Sequence, residues 1–188
     1  MWIKDTILSL FVATAPLQHT PPAELPPIPI VEEAPQPRKC AEKCKATDAG
    51  LALIRSYEGY SPFIYKDAVG LPTIGFGHLI MPGEKFKEPL MQQEADTLLR
   101  RDVAVKEADV NRLVYVGLFP GQFDAITSFT FNLGAGALKS STMLKRVNAE
   151  AHHEVPAQIK RWNKAGKKVL RGLTLRREAE ARMYQAAQ

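Results

Sequence analysis

Glu58-Gly-Tyr-Ser-Pro-Phe-Ile-Tyr-Lys-Asp67-Ala-Val-Gly-Leu-Pro-Thr73-Ile-Gly75-Phe-Gly77-His78 is the stretch whose reading decides the fold. Just upstream, Leu51, Ile54 and Tyr57 recur at a spacing of three, which suits the apolar face of a short helix. Glu58 follows Ile54 by four positions and so projects near that face in the last turn. Thr47 or Asp48 can cap the start of this helix, and Gly59 suits a C-cap that ends it just past the acid. The negative end of the helix dipole and an apolar surround both disfavour the charged carboxylate. Glu58 therefore reads as an acid placed where it stays protonated near neutral pH.

After Ser61-Pro62, the run Phe63-Ile64-Tyr65-Lys66-Asp67 is aromatic and β-branched enough for a strand. Val69-Gly70 supplies a turn, and Thr73 to His78 reads as the returning strand, with Pro72 at its start. Alternation then places Thr73, Gly75 and Gly77 on one face, and Ile74, Phe76 and His78 on the other. A face with two glycines is nearly bare, which suits a ligand backing onto it. Helix end and hairpin together predict a cleft wall carrying Glu58, Asp67 and Thr73.

Glu-x8-Asp-x5-Thr followed by Ile-Gly-x-Gly-His resembles the bacteriophage lysozymes, glycoside hydrolase family 24. The resemblance extends over about residues 48–188. It includes Gln122-Phe123-Asp124-Ala125, Ser128-Phe129, Phe131-Asn132-Leu133-Gly134, Ser141-Thr142-Met143-Leu144, Trp162 to Gly166, Gly172-Leu173 and Arg176-Arg177. It implies an α+β, mostly helical, two-lobed lysozyme-like fold, with a small antiparallel hairpin or sheet in the first lobe. The implied activity is a muramidase that cuts the β-1,4 bond between N-acetylmuramic acid and N-acetylglucosamine, with inversion, and without metal or cofactor. The sequence departs from the family pattern at Lys167 and Arg171, where Gly and Pro are frequent.

Cleaving a glycosidic bond takes an acid to protonate the leaving oxygen and a second carboxylate across the ring. Separated by about 6.5–9.5 Å, the second group activates water and inverts the anomeric centre; at about 5–5.5 Å it attacks directly and configuration is retained. Glu58 is read as the acid, Asp67 as the base and Thr73 as the hydroxyl that holds the attacking water. Gly75, Gly77 and Asn132 are expected to contact substrate. Asn132 faces a sugar amide in the family pattern, and its alternative role is a helix cap. His78 reads as a packed histidine paired with a carboxylate, Trp162 as core, and His152 and His153 as surface residues. Arg176 or Arg177 either reaches the Glu58 region or makes exposed salt bridges.

The composition, with 45% apolar and 24% charged residues, is that of a globular protein large enough for a good core. Residues 1–47 hold five basic and five acidic side chains, so the whole +5 excess lies beyond them. From Lys160 onward nine Lys or Arg face two Glu, a patch suited to nucleic acid, anionic lipid or an anionic wall polymer, or simply a solvated face. With the family resemblance, the expected partner is bacterial peptidoglycan rather than nucleic acid, and a monomer is expected. Two cysteines, Cys40 and Cys44, are too few for a zinc site. They either close a small disulfide, lie on one helix face, or pair with another chain.

Residues 1–17 carry one lysine and then about a dozen mostly apolar residues, short of the roughly 20 that span a bilayer. Ala13-Thr-Ala15 has the form of a signal cleavage site, while Pro16 argues against efficient cleavage. The segment is read as a signal-like or signal-anchor sequence in transient membrane contact, or else as a docking arm. Eight of the fourteen prolines fall between Pro16 and Pro37, so residues 18–47 are read as a semi-rigid spacer. Residues 48–188 form the lysozyme domain, with one lobe over 48–91, a connecting helix over 92–113 and a helical lobe over 114–188. A largely apolar helix is expected through Phe123, Ile126, Phe129 and Leu133, ending at Gly134-Ala-Gly136, followed by helices near 140–149, 151–163 and 174–186. The exported enzyme would work in the host periplasm or at the inner membrane. The rival readings are a virion-associated wall-piercing lysozyme, a non-catalytic wall-binding module, and a membrane-disrupting basic protein.

Overall fold

Thr47 starts the first helix, α1 (Asp48–Glu58), by accepting a hydrogen bond from Gly50 N on its hydroxyl. The same residue is tied to a distant helix: its N–H donates to Asp124 Oδ1 at 2.9 Å. Gly59, at φ 71°, ends α1 where the sequence places its cap. The computed structural model describes residues 38–39, 43–67 and 70–186. The readings of residues 1–17, of most of the spacer and of Cys40 lie outside these. Cys44 is buried.

A short strand, β1 (Arg38–Lys39), pairs antiparallel with β5 (Gly117–Leu118). The hairpin after α1 is β2 (Ser61–Lys66), β3 (Pro72–Gly75) and β4 (His78–Leu79), in spatial order β2-β3-β4 and antiparallel throughout. One expectation is corrected here. Residues 73–78 are not a single strand, because Gly75 (φ 67°) and Gly77 (φ 81°) turn the chain between β3 and β4. Strict alternation across these six residues therefore fails. The missing Gly75 side chain makes room for helix packing: a Cβ there would stand 3.2 Å from the Cβ of Ala95.

The long helix α2 spans Gln92–Leu113, as the periodicity predicts. Its Leu99 and Val103 join Ile54, Ile74 and Phe76 in one apolar cluster, while its Val110 and Leu113 join Phe123, Phe129 and Leu138 in a second. At 22 residues it is roughly 33 Å long, enough to serve both. Each fully buried side chain of this size contributes about 1.5–3 kcal/mol. The central helix α3 (Pro120–Ser140) buries Phe123, Ile126 and Phe129, as expected. It does not stop at Gly134: that residue leaves helical geometry at φ 84°, ψ 161°, and the helix resumes to Ser140.

Around α3 pack α4 (Thr142–Asn148), a 3₁₀ turn (His152–Glu154), α5 (Val155–Lys160) and α6 (Arg171–Gln185). Between α5 and α6 lies an exposed hairpin, β6 (Lys164–Ala165) with β7 (Lys168–Val169), so Lys167 falls in its turn. Trp162 packs edge-on to Phe129 at 5.4 Å, a core role. His152 is not the surface residue expected. It is half-buried, with Nδ1 2.7 Å from the Tyr184 hydroxyl, and burial lowers its affinity for a proton.

Candidate active site

Glu58 stands where two concave surfaces meet. The larger, a cleft of about 380 Å³, is lined by Glu58, Gly77, His78, Asp102, Lys106 and Asn132, among others. The smaller, about 250 Å³, is lined by Glu58, Gly59, Tyr60, Ser61, Tyr65 and Gly75. Gly77 keeps the approach to the acid open, since a Cβ built on it would stand 3.6 Å from Glu58 Oε2.

The apolar surround expected for Glu58 is corrected by the fold. Arg176 of α6 donates from Nη1 to Glu58 Oε1 at 2.7 Å. Of the two roles open to this pair, Arg176 takes the one at Glu58, and both arginines are buried rather than in exposed salt bridges. Both guanidiniums converge on Glu180, which is fully buried: Arg176 Nε lies 3.3 Å from Oε1, and Arg177 approaches at 2.9 Å through Nε and 3.0 Å through Nη2. Ser128 Oγ of α3 donates to the same carboxylate at 2.8 Å. Arg177 Nη2 also donates to Asn132 Oδ1 at 3.0 Å. An arginine only donates, so this bond fixes the amide with its oxygen toward Arg177 and its Nδ2 donor still available. Burial raises the Glu180 carboxyl and lowers the Arg177 guanidinium, and each charge partly offsets the other's burial. Glu180 was missed by the sequence reading. Its only signal there is an i,i+4 spacing from Arg176, which ordinary surface helices share.

Asp67 follows directly on β2, half-buried, with Oδ1 accepting from Leu71 N at 2.8 Å. Thr73 pairs in register with Tyr65, so Tyr65, Thr73 and the next alternate position, Asp67, share one side of the hairpin. Tyr65 senses both acids: burial raises its phenol first, then the charges of Glu58 and Asp67. The Thr73 side chain is buried and donates from Oγ1 to Leu71 O at 3.2 Å. Tyr65 and Glu58 line the smaller concavity together, whereas Asp67 and Thr73 line neither of the two concavities at Glu58. Gly75 borders the smaller concavity, and Gly77 and Asn132 the larger.

His78 is buried between two carboxylates, with Nδ1 2.7 Å from Asp102 and Nε2 2.9 Å from Glu84. The Met81 N–H and His78 hold the Glu84 carboxyl down to about 2, from an ordinary 4.5. Such a group stabilises the fold fully above its unfolded value and loses that contribution as pH falls through its folded value. The urea midpoint of the wild type should therefore exceed that of Glu84→Gln at pH 6, with the gap closing between pH 4.5 and 2. A gap that stays constant over that window would refute the linkage.

A two-lobed, mostly helical scaffold with an acid at the mouth of its cleft is the architecture of a lysozyme-type glycoside hydrolase. The phage lysozyme family profile matches residues 55–180, and the chain belongs to that family. It is 38% identical over 146 residues to the endolysin of Bacillus phage B103, covering 73% of this chain and 53% of that one. The chain thus spans about half the length of that relative. A protein described as a SAR-endolysin, from Bacteriophage PS34, is 36% identical over 64% of this chain and 71% of its own. Among solved structures, the muramidase domain of SpmX from Asticaccaulis excentricus superposes with a TM-score of 0.69. It is 33% identical, covering 74% of this chain and 97% of that one.

Proposed function

We propose that this chain is a muramidase that hydrolyses the β-1,4 bond between N-acetylmuramic acid and N-acetylglucosamine in bacterial peptidoglycan, with inversion, as the lysis enzyme of a phage. The observation that carries this reading is the position of Glu58 between two adjoining concavities. A linear glycan laid through both would cross the acid with sugars on either side of the bond to be cut. Glu58 protonates the leaving oxygen. The Thr73 hydroxyl spends its proton on Leu71 O and is left as an acceptor for one hydrogen of the attacking water. Asp67 takes the other, so the water's lone pair faces the anomeric carbon. Asn132 offers Nδ2 to a sugar carbonyl, and Gly75 and Gly77 leave room for the glycan.

In the same reading the domain acts as a monomer and reaches back beyond residue 48, since Arg38–Lys39 pairs with β5 and Cys44 lies in the core, so the spacer ends ahead of residue 38 rather than at 47. Residues 1–17 carry it to the inner membrane and periplasm, in keeping with the similarity to SAR-endolysins. No helix among the described residues is long and apolar enough to cross a membrane. The test of the mechanism is stereochemical: proton NMR of freshly cleaved wall glycan should show the α-anomer first. A β-anomer as the first product would remove the water-activating role of Asp67.

A further inference from the structure

Four titratable groups line the larger cleft, and three of them are committed within the protein. Glu58 is held by Arg176, and His78 and Asp102 hold each other at 2.7 Å. The fourth, Lys106, is half-buried and makes no ion pair or hydrogen bond with any described residue. Its natural partner is close by in the helix. Asp102 precedes it by four positions on α2, the spacing at which Asp and Lys ordinarily pair. Asp102 is turned instead to His78, which leaves the Lys106 charge without a counter-ion. Around it the lining is apolar or neutral: Leu79, Met81, Val105, Phe131 and Asn132. A cleft that satisfies its own charges except for one cation is suited to a ligand that brings an anion.

We propose that Lys106 is a specificity-determining residue, whose ammonium takes a carboxylate on the peptide arm of the muramic acid sugar. This rests on the muramidase reading above. A peptide-substituted glycan carries such carboxylates on every second sugar, whereas a neutral N-acetylglucosamine polymer carries none. Lys106 therefore distinguishes acid-bearing wall from neutral glycan without taking part in bond cleavage.

The experiment uses the full chain as wild type, Lys106→Met and Lys106→Arg. The substrates are native insoluble peptidoglycan and the same material with its carboxylates converted to primary amides. On native wall, Lys106→Met should lower kcat/KM about fivefold, mainly through KM, the upper end for a partly exposed charge pair. Lys106→Arg should restore most of it. On amidated wall the wild type should fall to the level of Lys106→Met, and the two should become indistinguishable. A Lys106→Met protein equal to wild type on native wall, or weakened equally on both substrates, would overturn the proposal. Co-sedimentation with both walls gives the same comparison without turnover. If wild type releases no reducing ends from either wall, the muramidase reading fails, while the sedimentation difference still decides the role of Lys106.

Discussion

Glu58→Gln should cut wall hydrolysis by about 10²–10⁴-fold, the range for a lost general acid, and leave the fold intact. Glutamine keeps the length and shape of the side chain, and its amide oxygen can still accept from Arg176 Nη1 at the position of Oε1. Arg176 also keeps its contact with Glu180, so its charge is not stranded. Only the transferable proton is gone. Turbidity clearing of isolated walls reads the activity, and a thermal melt within a few degrees of wild type verifies the fold. A well-folded variant that retains about a tenth of the activity or more would mean that Glu58 is not the acid.

Glu180→Gln should be the most damaging single change to stability. Removing one partner of a buried ionic cluster costs about 3–5 kcal/mol, because the remaining charge stays buried without compensation. Here two guanidiniums lose their shared anchor, and a fall in Tm of about 10 °C is expected for a domain of this size. Activity should fall as well, since one carboxylate holds both Arg176 against Glu58 and Arg177 against Asn132. The double variant Arg177→Met/Glu180→Met separates these effects. Removing both charges should recover much of the stability. It should not recover activity, because Asn132 has lost its donor and Arg176 its anchor. Full recovery of both would reduce the cluster to packing alone.

The contrast between these two residues shows what could be read in advance. Glu58, Asp67 and Thr73 lie within sixteen consecutive positions, and their placement depends on a helix cap and a hairpin, both local. Thr47 and Gly59 mark the two ends of α1 by side-chain chemistry and backbone freedom alone. The charge cluster is different in kind. Arg176 meets Glu58 across 118 positions, and Ser128 meets Glu180 across 52, distances over which no periodicity carries information. The misread strand at 73–78 has a local cause that periodicity conceals. Alternation assumes an extended backbone at every position, and two glycines with positive φ break that assumption. Gly134 misleads in the opposite way, bending α3 where a stop was expected.

The contact between Glu58 and Arg176 also has a bearing on biosynthesis. Its two halves stand near opposite ends of the domain, so a nascent chain still lacking α6 has made its acid but not the guanidinium that holds it. A ribosome paused anywhere before residue 171, or a nonsense codon in that range, therefore yields a polypeptide in which Glu58 lacks its Arg176 partner. If the proposed muramidase activity holds, such a product should leave isolated walls uncleared, since Arg176 reaches Glu58 only once α6 has been translated and has docked.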